Sequence, residues 1–129
     1  GLAGGLIQHE SDGSLGAGAG ALCIQPWVRA PGAQSWRRLD DLTGARFTLI
    51  ATSMTWLATL SPADLSTWQH LGGVVVYLGT APASSWPAHV LCLEERDGLM
   101  AGWLREHAAQ AVVARPDHYV YGTAQRLTR

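Results

Sequence analysis

The 129-residue sequence has only two cysteines, Cys23 and Cys92, and no C-x-x-C pair anywhere. A dithiol–disulfide cycle therefore has no reactive pair to run on. Two isolated thiols fit a reducing, cytoplasmic setting better than a stapled secreted domain. Charge is also scarce: charged side chains make up 15% of the residues, the formal net charge is -1, and the nine basic residues form no dense run. That excludes the broad basic footprint with which proteins hold nucleic acid. No stretch approaches the ~18 continuous apolar residues of a membrane-spanning helix. Gly1–Gly5 has neither the basic region nor the apolar core of a signal peptide. An opening without methionine is expected of a piece cut from a longer protein.

Local catalytic signatures are missing too. The five histidines, His9, His70, His89, His107 and His118, form no H-x-x-x-H or H-x-x-E pair, so no metal-ligating spacing is present. No G-x-S-x-G elbow marks a serine nucleophile. Asp40 and Asp41 are adjacent and point apart, which suits turn and cap roles rather than an acid–base pair. Glu94-Glu95 reads as a solvated turn.

What the chain does have is apolar residues, 47% of the total, and six tryptophans. This length supports one domain with a core and is too short for two. Large amphipathic rings serve a core, and they equally suit a face that meets another protein. Residues 12–21 are a glycine and alanine tract whose glycines match no phosphate-binding fingerprint. The expected division is a flexible N-terminal segment or linker over 1–21 and a folded domain over 22–129.

Within the domain, Gln25-Pro26-Trp27-Val28 and Pro31-Gly32 read as extended chain and turn, and residues 39–44 as a short helical turn or tight loop. Arg46–Ala51, β-branched and aromatic, is the first firm strand. A helix follows, with Ser61 as cap, Pro62 at its first position and an apolar stripe through Leu65, Trp68 and Leu71, ended by Gly72-Gly73. Val74–Leu78 is continuously apolar, so it must be covered on both faces. After a Pro/Ser/Ala loop at 79–87, Val90–Leu93 is a short strand. Asp97 can cap a helix over Gly98–His107, its apolar line running through Leu99, Trp103 and His107 and widened by Met100 and Leu104.

Ala111–Arg115 and His118–Gly122 then form an antiparallel hairpin about Pro116-Asp117. Asp117 is placed to accept backbone hydrogen bonds and Arg115 to pair with a carboxylate. Tyr119 and Tyr121 alternate on one strand face and can pack on the last helix or on a partner domain. Strand–helix–strand followed by helix and hairpin is the thioredoxin arrangement. The expected fold is therefore α/β, a thioredoxin-like three-layer sandwich with a mixed central sheet and a C-terminal β-hairpin. Redox members of that fold carry a cysteine just after the first core strand, where a helix start favours the thiolate. Here that stretch is Thr52-Ser53-Met54-Thr55-Trp56, whose hydroxyls form no disulfide, and a thiol peroxidase is disfavoured accordingly. Cys92 reads as a small buried hydrophobe.

The run Trp103-Leu104 … Ala111-Val112-Val113-Ala114-Arg115-Pro116-Asp117-His118-Tyr119-Val120-Tyr121-Gly122 resembles the ending of the class A flavoprotein aromatic hydroxylases, in particular the 3-(3-hydroxyphenyl)propionate hydroxylases and similar phenolic-acid monooxygenases. Gln25-Pro26-Trp27-Val28, Leu39-Asp40-Asp41-Leu42-Thr43-Gly44, Phe47-Thr48-Leu49-Ile50 and Asp97-Gly98 agree in order and spacing, so the likeness covers most of residues 22–124. The resemblance implies a C-terminal thioredoxin-like domain without redox cysteines, and a parent enzyme that uses FAD and NAD(P)H to insert one oxygen atom of O₂ into a phenolic ring. It implies no catalytic, cofactor or metal residue in this chain. The partners it implies are the FAD-binding and substrate domains of the same chain and, in some relatives, a second subunit. Trp27, Trp36 and the Tyr119/Tyr121 face are the expected contacts. A free-standing, redox-inactive thioredoxin-like binding module is the alternative.

Overall fold

The computed structural model describes residues 18–80 and 89–124. In chain order the elements are β1 (Trp27–Arg29), β2 (Arg37–Arg38), α1 (Leu39–Thr43), β3 (Thr48–Ala51), α2 (Met54–Leu57), α3 (Pro62–His70), β4 (Val74–Leu78), β5 (Val90–Glu95), α4 (Leu99–Glu106), β6 (Ala111–Ala114) and β7 (Val120–Ala124). The strands form one sheet in the order β2-β1-β5-β4-β3-β6-β7. β3, β4 and β5 run parallel, while β6, β7, β1 and β2 add antiparallel pairs at the two sides. The sheet is mixed, it ends in the β6–β7 hairpin, and the fold is the thioredoxin-like sandwich.

The layers follow from strand periodicity. Alternate residues of β3, β4 and β6 point to opposite faces, and both sets are apolar. Leu49, Ala51, Val75, Tyr77 and Val113 meet Trp56, Leu57 and Trp68 of α2 and α3. Ile50, Val76, Leu78 and Val112 meet Met100 and Leu104 of α4, together with Leu39, Cys23 and Val28. Trp68 is fully buried, and its indole N–H donates to the Val74 carbonyl at 3.0 Å, which ties α3 to the strand it precedes.

The sheet curls. Asp40, just after β2, comes within 3.8 Å of His118 in the β6–β7 turn, although β2 and β7 stand at opposite ends of the strand order. Residues 18–23 help to close this side. Gly20 N–H donates to the Val120 carbonyl, Val120 N–H to Ala21, and Cys23 N–H to His118. The end of the Gly/Ala tract is thus held against β7. Its earlier residues, and 81–88 of the Pro/Ser/Ala loop, lie outside the described residues.

Several local expectations need correction. β1 and β2 pair as strands where the sequence marks only extended chain and a turn, because a two-residue ladder stands on pairing and not on local propensity. α2 is an extra helical turn before α3. Leu71 is 54% exposed and leaves the α3 stripe, since the helix ends at His70 and Gly72 turns the chain away. The buried line of α4 runs through Met100 and Leu104, whereas Leu99 is 48% exposed. Asp97 does not cap α4. Glu95 reaches across instead, and its carboxylate accepts from Met100 N–H and Ala101 N–H. Glu94-Glu95 is therefore not a solvated turn but the end of β5, with both carboxylates engaged.

Two glycines test this packing with opposite signs. A β-carbon on Gly73 would stand 2.5 Å from the immobile Trp68 ring, so Gly73→Ala should cost about 1–3 kcal/mol by overpacking. A β-carbon on Gly102, within α4, would meet only the Arg105 guanidinium at 3.7 Å, so Gly102→Ala should stabilise by about 0.5–1 kcal/mol. Urea denaturation of the two variants checks both, and equal signs would refute the packing described.

Candidate functional site

Three places carry the residues singled out above. The first is the end of β3, where this fold's redox members hold their thiol. Thr52 leaves the strand, and Ser53, in extended conformation, caps α2 by accepting from Trp56 N–H at 3.1 Å. A capping hydroxyl thus occupies the helix start. Trp56 behind it is buried, and its indole nitrogen has no hydrogen-bond partner among the described residues. The two thiols are elsewhere. Cys23 packs on the α4 side of the sheet and Cys92 on the α2/α3 side. Burial pushes the Cys23 thiol up to about 11 and raises Cys92 as well, so neither supplies a thiolate near neutral pH. Cys92 is only partly buried, a correction to its reading as a core hydrophobe.

The second place is the hairpin. Arg115 and Asp117 form an ion pair at 2.6 Å, and Asp117 accepts from Tyr119 N–H at 3.3 Å. His118 N–H donates to the Arg115 carbonyl, which closes the turn with Pro116 at its first central position. His118 itself is left-handed, with φ of 70°. The ion pair is about half exposed, so it fixes geometry more than it stabilises. The two tyrosines part company. Tyr121 falls at a β-bulge, half-buried, and meets Phe47 edge-on with centroids 6.2 Å apart, while Tyr119 is 43% exposed beside Leu22.

The third place is the wing made by β2, β1 and the end of β5. Trp27 faces Arg38 at 4.2 Å and Arg96 at 5.4 Å, and Trp36 faces Arg29 at 4.2 Å. Arg29 also bonds Glu94 at 2.7 Å. Each stacked pair contributes about 0.5–1 kcal/mol at such an exposed site. The structure therefore brings Trp27 and Trp36 onto one surface and leaves Arg115, Pro116, Asp117 and Tyr119 on another. Arg29, Arg38, Glu94 and Arg96 were missed in the sequence. The alternation Trp27-Val28-Arg29 beside Trp36-Arg37-Arg38 was the available signal, and it has meaning only once the two segments pair.

A sandwich of this topology, with a serine cap where the thiol would stand, defines a thioredoxin-like domain without the fold's redox centre. The chain belongs to the HcaD C-terminal domain family, whose model matches residues 20–129. It is 37% identical over 109 residues to a 3-(3-hydroxy-phenyl)propionate/3-hydroxycinnamic acid hydroxylase of Burkholderia cenocepacia (strain HI2424), covering 78% of this chain and 20% of the relative. A hydroxylase of the same name from Paraburkholderia xenovorans (strain LB400) is 32% identical over 122 residues, covering 92% and 20%. One from Escherichia coli O139:H28 is 29% identical over 125 residues, covering 94% and 22%. The chain spans about a fifth of the length of these curated relatives. No helix among the described residues is long and apolar enough to cross a membrane.

Thiol labelling tests the first place. In the folded chain at pH 8 Cys23 should react with a disulfide reagent at least tenfold more slowly than Cys92, and both should react at once in denaturant. The raised Cys23 value also has a linkage consequence. Stability should be fully present below the unfolded thiol value near ~8.5 and fall as pH rises toward about 11, a loss absent in Cys23→Ala. Equal labelling rates, or the same alkaline loss in Cys23→Ala, would contradict the buried placement.

Proposed function

We propose that this chain is the non-catalytic C-terminal domain, over residues 22–129 with a linker before it, of a cytoplasmic FAD- and NAD(P)H-dependent monooxygenase that hydroxylates phenolic aromatic compounds. The observation that carries the reading is the family match over residues 20–129, joined to relatives named as hydroxylases of 3-(3-hydroxy-phenyl)propionate and 3-hydroxycinnamic acid. The capped start of α2 supports it from the chemical side. A domain with Ser53 at that position and its two thiols set apart on opposite faces of the sheet contributes packing, not electron transfer. The flavin supplies the oxygen-transfer chemistry, and it is held by the part of the enzyme outside this chain. No residue of this chain is assigned to flavin or nicotinamide.

In this reading the domain's role is assembly. Its partners are the flavin- and substrate-binding domains of the same chain, with a second subunit as a further contact. Trp27, Trp36 and exposed Tyr119 are the contact candidates, and Tyr121 belongs to the fold instead. Arg115, Pro116 and Asp117 shape the turn that presents Tyr119.

Two measurements test this. The gene should continue upstream of Gly1 into a strand–turn–helix carrying G-x-G-x-x-G, and a start codon at Gly1 would instead favour the free-standing binding module. The isolated chain should show no saturable FAD binding in a fluorescence titration, while the full-length protein binds one FAD and oxidises NAD(P)H when a phenolic acid is added. Stoichiometric, tight binding by the isolated chain would refute the assignment of the flavin to other domains.

A further inference from the structure

The wing carries a surface that neither core cluster uses. Val28 points into the α4 side of the sheet and is fully buried, so its strand neighbours Trp27 and Arg29 face the other way. Pairing of β1 with β2 and β5 places Arg38 and Arg96 against Trp27, and Glu94 against Arg29. The result is two indole rings interleaved with three guanidinium groups. Stacking leaves a guanidinium edge able to meet a carboxylate in two parallel hydrogen bonds. Arg29 and Arg96 turn theirs to Glu94 and Asp97, and Arg38 meets no carboxylate among the described residues.

The charge on this wing is unbalanced. All nine basic residues of the chain are arginine, and three of them, Arg29, Arg38 and Arg96, lie on this face of β1, β2 and the turn after β5. Glu94 and Asp97 pair with Arg29 and Arg96, while Glu95 turns to the other face to hold α4. On the tryptophan-bearing face three arginines against two carboxylates leave an excess of one positive charge, on a chain whose formal net charge is -1, while Arg37 stands opposite Val28 and faces the α4 side with it. Arg38 is exposed and, among the described residues, donates to the Gln25 carbonyl and forms no ion pair. A hollow of about 380 Å³ beside Trp36 is lined by Leu78, Gly79, Thr80, Glu94, Glu95 and Ala101, so it reaches round toward α4 and its two carboxylates keep an incoming acidic group on the arginine side.

We propose that this arginine–tryptophan face docks an Asp/Glu-bearing segment of the flavin- and substrate-binding part of the same hydroxylase chain. The inference rests on the function proposed above. Its occupant is argued from two observations. About four-fifths of each relative lies outside the matched region, so a large surface of the parent enzyme is at hand. The excess charge on the wing asks for carboxylates, and two copies meeting through it about a two-fold axis would set like charges against each other.

The experiment uses the full-length hydroxylase with Arg38→Glu and, separately, Trp36→Ala, both on the wing and outside both core clusters. Limited proteolysis at the junction before residue 22 reads domain docking, thermal melting reads the fold, and FAD content reads the enzyme assignment. The charge-reversed protein should be clipped at least tenfold faster than the unaltered one at low salt, with the melting of the released domain unchanged. The unaltered protein should approach that rate at about 1 M salt, where screening is strong. Trp36→Ala should raise clipping several-fold with little salt dependence. An unchanged clipping rate in both variants, with FAD bound, would overturn the docking face while leaving the hydroxylase assignment standing. Unchanged clipping with conversion of a dimer to a monomer would assign the face to a second copy and overturn the proposal. A full-length protein that binds no FAD would overturn the function and this inference together.

Discussion

Burial of the central strands on both faces is the constraint from which the remaining architecture follows. β3, β4 and β6 are four or five residues each, and nearly every side chain in them is apolar and excluded from water. At about 25 cal/mol per Å² of apolar surface, such strands stand only if both faces are covered. One helix layer cannot do it. α2 and α3 therefore take one side, α4 and the segment from Cys23 to Leu39 take the other, and the two clusters share no residue. The parallel β3–β4 pair needs the crossover that α3 supplies, and the curl of the sheet carries the residues after β2 back to the β6–β7 turn.

This explains what could be read along the chain and what could not. β4, α3 and the hairpin were legible because each is specified locally, by a five-residue apolar run, by Ser61-Pro62 at a helix start, and by Pro116-Asp117 at a turn. The β1–β2 wing was not. Two strands of three and two residues have no periodicity to detect, and their pairing depends on β5, which lies some sixty residues further on. α4 was legible as a helix but not in its phase. Leu99 and Met100 are both apolar, and only the position of the sheet decides which one turns inward.

The candidate surfaces divide in the same way. Asp117 and Arg115 behave as local turn chemistry dictates. Tyr119 and Tyr121, expected to act as one aromatic face, are separated by a bulge that no strand alternation foretells. Trp27 and Trp36 were recognisable as large rings in an irregular stretch. Their arginine partners became visible only when register placed residues from three strands side by side. The thiol-free start of α2 was the most legible feature of all, being a matter of which residues stand after a strong strand.

The placement of the two cysteines has a consequence of its own. Cys23 and Cys92 lie on opposite sides of a continuous hydrogen-bonded sheet, so joining them would require the sheet to open. No internal covalent cross-link can form in the folded state, and none holds it together. The domain's folding free energy therefore contains no disulfide contribution that reduction could remove.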